Sequence, residues 1–163
     1  MKKTHPALYV SRGAVIAALY IALSYLTQAL QIAFFQIRPA EALCVLPLFF
    51  PEAVPALFIG CIISNAVSGC VALDIIFGSV ATLIGAIGAR LLMKLPYKLR
   101  FCATIPTIIA NALIIPPILV FAYGSTEAFW FLFVSVFLGE FVSAGILGSI
   151  LYYTLSKARV FGE

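Results

Sequence analysis

The chain has 163 residues, of which 64% are hydrophobic and 10% charged, and its mean hydropathy is +1.16. That balance excludes an ordinary soluble domain and points to one integral membrane domain over residues 1–163. The net charge of +4 does not point to nucleic acid, because the basic residues cap apolar segments and form no stripe.

Nine of the ten basic residues fall in three places: Lys2, Lys3 and Arg12 at the start, Arg90, Lys94, Lys98 and Arg100 in one connection, and Lys157 and Arg159 at the end. Arg38 stands apart. Lys and Arg gather on the cytoplasmic side of short membrane loops. Both termini and the 94–100 connection are therefore expected in the cytoplasm, with an even number of spans between each pair. The N-terminus has a basic start but no short apolar stretch ending in a clear small-residue cleavage site. Its first apolar segment is long enough to span and reads as a retained helix.

Six spans fit this charge map. The first, 12–31, carries Ala14, Ala18 and Ala22 at four-residue spacing beside Ala17, a smooth strip that lets another helix approach closely. The plainer account is that alanine is common in membrane helices. The second, 39–50, is about 18 Å long at 1.5 Å per residue, short for a full crossing. Phe50-Pro51-Glu52 supplies a turn, with Pro51 suited to a first helical position and Glu52 to the positive N-terminal end of the third span, 52–69. The fourth, 74–93, carries a second small strip, Gly78, Ala81, Gly85 and Gly88-Ala89, expected to pack within the bundle. The fifth, 101–123, contains Pro106 and Pro116-Pro117, which predict a kink. The sixth, 127–156, starts after Gly124-Ser125-Thr126-Glu127 and ends in the basic tail; Phe129 and Trp130 at its outer end suit an aromatic belt. The outer connections then fall near 32–38, 70–73 and 124–127. The expected fold class is an all-α membrane bundle of six transmembrane helices, without internal repeats.

Cys44, Cys61, Cys70 and Cys102 form no CxxC and sit among apolar neighbours, so they read as small buried hydrophobes and not as a zinc or disulfide framework. The sole histidine, His5, lies in the polar tail, which sets aside His-dependent triads and His-ligated metals. No metal and no cofactor is expected.

Polar outliers carry more information. A charge within hydrocarbon costs about +2.5 to +3.5 kcal/mol on insertion scales, so it usually faces a cavity or a partner. Glu140 lies well inside span six and Asn111 near the middle of span five, while Arg38, Glu41, Asn65 and Asp74 lie toward the outer side. These six residues, drawn from spans two to six, are candidates for one outward-opening substrate pocket. Bland readings stand beside them: a local Arg38–Glu41 ion pair, Asp74 as a helix cap, and Asn65 and Asn111 as interhelical glue. A small, polar, planar ligand suits such a set. Carboxylates accept from ring N–H and amino groups, and Arg donates to a carbonyl and a ring nitrogen. The edge of guanine offers both patterns, and nearby aromatic rings can stack on its plane. Spacing alone does not choose guanine among heterocycles.

The stretches Gln36-Ile37-Arg38-Pro39-Ala40-Glu41-Ala42-Leu43, Leu57-Phe58-Ile59-Gly60-Cys61 with Asn65, and Asp74-Ile75-Ile76-Phe77-Gly78-Ser79-Val80-Ala81-Thr82-Leu83 resemble the queuosine-precursor transporter (QueT) family. The likeness covers nearly the whole chain; it is specific over 36–83 and rests on length and hydropathy in the last two spans. It implies the substrate-binding S component of an energy-coupling-factor (ECF) transporter, in a prokaryotic plasma membrane, with a 7-deazaguanine ligand such as preQ1 or queuine. It also implies a transmembrane coupling subunit that docks on Ala14, Ala18 and Ala22, and two ATPase subunits. The chain has no Walker A pattern, so ATP hydrolysis falls to other chains and the protein is not itself an enzyme.

Rival readings make different demands. An S component for another vitamin-like heterocycle would share every feature above. A self-contained secondary transporter would show internal repeats with matching interrupted helices. An intramembrane enzyme would need a nucleophile, a metal site or paired carboxylates at working distance, whereas Glu41, Asp74 and Glu140 are far apart in sequence.

Overall fold

The computed structural model describes residues 6–28 and 36–158. Lys2, Lys3, His5 and Arg159, the last residues of the first predicted span, and positions 32–35 of the first outer connection lie outside the described residues.

Every described element is helical. Helix α1 is Pro6–Leu26, followed by a 3-10 helix over Pro39–Leu48, then α2, Ala53–Val67, and α3, Ala72–Leu91. Short 3-10 turns over Leu92–Lys94 and Tyr97–Thr104 lead into α4, Ile105–Phe121, which continues through Pro116 and Pro117. Helix α5, Phe129–Glu140, runs through a π-helical stretch, Phe141–Leu147, into α6, Gly148–Lys157. Four rods are long and apolar enough to cross a membrane: Pro6–Leu26, Ala72–Lys94, Leu99–Phe121 and Phe129–Lys157. Pro39–Leu48 and Ala53–Val67 are apolar but shorter. The chain is an all-α membrane protein. Many large apolar side chains are exposed, among them Leu19, Ile76, Ile109, Leu113, Trp130 and Ile150, as a surface facing lipid tails requires. Phe129 and Trp130 are exposed in this way, in edge contact with each other at 6.0 Å between ring centres.

The second segment differs most from an ordinary span. It is a 3-10 helix of ten residues in which Ala40 to Leu48 are all buried. At about 2.0 Å per residue it covers roughly 20 Å, short of the roughly 30 Å hydrocarbon core. Pro39 opens it and Pro47 lies inside it, and each removes a backbone donor. With three residues per turn, positions three apart eclipse one another, so Arg38, Glu41, Cys44 and Pro47 fall in one row. At its end, Arg90 Nη1 donates to the Pro47 carbonyl at 3.0 Å.

Lipid tails are as apolar as leucine, so close contact between helices drives association here. A Cβ at Gly60 of α2 would lie 3.2 Å from the Ala17 carbonyl oxygen and 3.2 Å from Tyr20 Cβ of α1. On α3, Gly85 abuts Thr107 and Gly88 abuts Pro106 of α4, so the second small strip packs inside the bundle as expected. The cysteines are more polar in their contacts than expected: Cys44 and Cys61 are buried but hydrogen-bonded.

Arg12 is anchored at the start of α2. Arg12 Nη1 lies 3.8 Å from Glu52 Oε1, and its guanidinium stands 5.3 Å from the centre of the Phe50 ring. Leu92, Met93, Ala103, Phe49 and Tyr152 pack in one cluster, which joins the close of α3, the end of the Tyr97–Thr104 turn and α6. The opposite end holds the α2–α3 turn and Tyr123. There Gly69, at φ 72°, ends α2: Cys70 N–H donates to the Asn65 carbonyl at 3.0 Å and Gly69 N–H to the Ala66 carbonyl at 3.2 Å. This is the 6→1 and 5→2 pairing of a Schellman cap.

The two ends give a labelling test of orientation. Lys94→Cys and Thr126→Cys, made with Cys70 and Cys102 replaced and the buried Cys44 and Cys61 retained, are expected to behave oppositely towards an impermeant thiol reagent on intact cells. Thr126→Cys should label and Lys94→Cys should not; labelling at 94 overturns the orientation read from the basic clusters.

Candidate functional site

The Arg38 peptide is where the site begins. Preceding Pro39, it is biased to extended backbone and adopts φ −118°, ψ 82°. Its carbonyl accepts from Glu41 N–H at 2.9 Å and its N–H donates to Ser143 Oγ at 2.9 Å. The guanidinium interacts electrostatically first with Asp74 and next with Glu140. The local Arg38–Glu41 ion pair does not form: among the described residues the only ion pair is Arg12–Glu52.

Glu41 instead has its oxygens occupied by others. Oε1 accepts from the Tyr20 hydroxyl of α1 and from Thr82 Oγ1 of α3, the latter at 3.0 Å, and Oε2 accepts from Cys44 Sγ at 3.1 Å. Cys44 reaches it because three residues make one 3-10 turn. Glu41 is thus a fixed, fully buried carboxylate. Glu140, equally buried, feels repulsion from Glu41 and attraction from Arg38; its Oε2 has no hydrogen-bond partner.

Asp74 lies in the first turn of α3, where the N-cap is Val71 and no side chain caps the helix, so the capping role does not hold. Its Oδ2 accepts from the Tyr123 hydroxyl at 2.9 Å and its Oδ1 has no partner. Asn65 Nδ2 donates to the Asp74 carbonyl at 3.4 Å. A Cβ at Gly78 would lie 3.0 Å from Asp74 Oδ1, 3.2 Å from Asn65 Nδ2 and 3.8 Å from Ile115 Cδ1, so Gly78 keeps this corner open. One turn before Ile115 on α4, the fully buried Asn111 donates to the Thr107 carbonyl at 3.1 Å and leaves Oδ1 without a partner.

Asp74, Asn111 and Glu140 therefore each retain an unused buried acceptor. Thr107 Oγ1 and Ser156 Oγ are also buried without a partner, and leaving such an atom unpaired costs about 1–3 kcal/mol. Glu41, Asp74 and Glu140 are all buried, and Asp74 and Glu140 both act on the Arg38 guanidinium. No group of His, Cys, Asp and Glu suited to a metal occurs among the described residues. Sequence reasoning missed the donors Tyr20, Thr82, Cys44 and Tyr123, and also Ser143. Buried tyrosine hydroxyls need partners, which was the available signal for Tyr20.

On α1, Ala14, Ala18 and Ala22 are exposed while Ile16 and Tyr20 are buried. The alanine strip faces away from the bundle.

The family model described as QueT transporter matches residues 10–157. No curated protein and no solved structure matches the sequence. The matched span takes in all of the elements that build the site, from Tyr20 on α1 to Glu140 and Ser143 on the last rod, and on this ground the chain belongs to the QueT transporter family.

Proposed function

We propose that this membrane transporter is the substrate-binding S component of an ECF importer for 7-deazaguanine queuosine precursors. The observation that carries the reading is the trio of unpartnered buried acceptors, Asp74 Oδ1, Asn111 Oδ1 and Glu140 Oε2, next to a single guanidinium, Arg38. A 7-deazaguanine presents ring N–H and amino donors to carboxylates and a carbonyl to Arg38. The excess of carboxylate favours a ligand that carries its own cation, as the aminomethyl group of preQ1 does. Asn65 supports Asp74, and Glu41 forms the fixed floor of the site.

In this reading the six helical segments each serve as a span, with both termini in the cytoplasm of a prokaryotic cell. The exposed strip Ala14, Ala18 and Ala22 receives the coupling subunit, whose two ATPase partners hydrolyse the ATP. Small residues on an outward face permit the close helix approach that such docking needs.

Removing one partner of a buried charged hydrogen bond costs about 2–5 kcal/mol, or about 30- to several-thousand-fold in affinity. Calorimetry with purified chain and preQ1 should show losses in that range for Glu140→Gln and for Asp74→Asn. The uncharged 7-cyano analogue should bind at least about tenfold more weakly than preQ1. Wild-type affinity in both variants would sink the assignment. Glu41→Gln places an amide among three donors and is expected to lower the unfolding temperature of the ligand-free protein.

A second experiment addresses docking. Ala18→Trp should abolish assembly with the coupling subunit, and with it uptake, while preQ1 binding by the solitary chain stays at the wild-type level. Intact assembly would move the interface off α1.

A further inference from the structure

The segment 36–42 runs alongside the last rod and touches it at three points, and at each the rod presents a small residue. A Cβ at Gly139 would run into the Gln36 backbone, meeting its carbonyl oxygen and lying 2.7 Å from its carbonyl carbon and 3.2 Å from its nitrogen. Ser143 Oγ accepts the Arg38 N–H at 2.9 Å. A Cβ at Gly148 would lie 3.5 Å from the Ala42 carbonyl oxygen and 3.7 Å from Ala42 Cα. The spacing along the rod is four residues and then five. An α-helix keeps positions four apart on one face, and a further step of five drifts off it. The π stretch Phe141–Leu147 lies between these points, and its wider turn absorbs the extra residue. Gly139, Ser143 and Gly148 thereby stay in one seam.

This seam fixes the backbone from which Arg38 projects. Arg38 is not helical, so no helix supplies an acceptor for its N–H, and a backbone donor left unpaired in an apolar bundle is costly. Ser143, itself fully buried, provides that acceptor. The geometry points to Gly139 and Ser143 as positioning residues for ligand recognition, holding the Gln36–Arg38 backbone from which the guanidinium that interacts with Asp74 and Glu140 projects. Neither needs to touch the ligand. The inference rests on the reading of Arg38, Asp74 and Glu140 as the substrate site.

Two measurements separate failure of the seam from failure of that reading. In calorimetry with preQ1, Ser143→Ala should weaken binding about three- to tenfold, the worth of one hydrogen bond, and Ser143→Thr, which keeps the hydroxyl, should restore it. Gly139→Ala should weaken it more, because its Cβ displaces Gln36. In an Arg38→Ala background Ser143→Ala should add little, since two residues that act through one contact are not additive. An equal loss in both backgrounds, or none in either, overturns the positioning role. The second measurement needs no ligand. The labelling rate of Ile37→Cys, with Cys70 and Cys102 replaced, should rise when Ser143→Ala or Gly139→Ala is introduced and stay unchanged with Ser143→Thr. If the wild-type chain binds no preQ1, the substrate reading falls and the labelling rates alone judge the seam: a rise supports it and unchanged rates overturn it.

Discussion

Besides Glu52, which pairs with Arg12, three buried carboxylates, Glu41, Asp74 and Glu140, share an apolar bundle with the Arg38 guanidinium, and that is the constraint around which this molecule is built. In hydrocarbon neither charge nor unpaired acceptor is tolerated without a partner. The fold answers it unevenly. Glu41 is closed off by Tyr20, Thr82 and Cys44 from three different elements, and so becomes part of the framework. Asp74 receives one donor, Tyr123, and keeps an oxygen free. Glu140 likewise keeps an oxygen free and faces Glu41 across a repulsive pair. The carboxylates thus run from one fully satisfied, Glu41, to two that each keep a buried oxygen unpaired.

The short second segment makes that separation possible. An α-helix over 39–48 would advance about 1.5 Å per residue and turn Glu41 and Cys44 some 60° apart, whereas a 3-10 helix eclipses them. The eclipsed row lets Cys44 donate to Glu41. A 3-10 helix this long is uncommon because its hydrogen bonds are poorer. Burial on all sides and side-chain help from Arg90 at Pro47 offset that weakness. Its shortness suits a core element surrounded by helices more than one bathed in lipid.

Much of this was legible in the sequence, and the reasons for the rest are physical. Charges in apolar segments are scarce, so Arg38, Glu41, Asp74 and Glu140 announce themselves, and Asn65 and Asn111 follow as amides in the same segments. Of the basic residues, Arg12 has its partner in Glu52 at the start of α2. Helix type was not legible, because apolar composition suits α and 3-10 turns alike. The repeat of Arg38, Glu41, Cys44 and Pro47 every three residues, flanked by prolines, was the trace it left. Tyr20, Thr82 and Cys44 escaped notice because each is ordinary in a membrane helix, and only the fold shows their donors converging on one carboxylate. The π stretch had a trace as well, in the four-then-five spacing of Gly139, Ser143 and Gly148.

Helix α1 ties the outer surface of the bundle to its interior. Its inner face packs so closely on Gly60 that a single Cβ there would lie 3.2 Å from both the Ala17 carbonyl and Tyr20 Cβ. From that face Tyr20 gives its hydroxyl to Glu41. The other face carries Ala14, Ala18 and Ala22, exposed and small. One rigid rod therefore bears both the smooth strip and a donor to the framework carboxylate, less than one turn apart in sequence between Ala18 and Tyr20. A hydrogen bond weakens steeply with distance and misalignment, so sliding α1 against Gly60 withdraws a donor from Glu41. That loss raises the cost of the buried charge beside Glu140. The smooth strip and the donor to Glu41 therefore belong to one rod, held against α2 at Gly60.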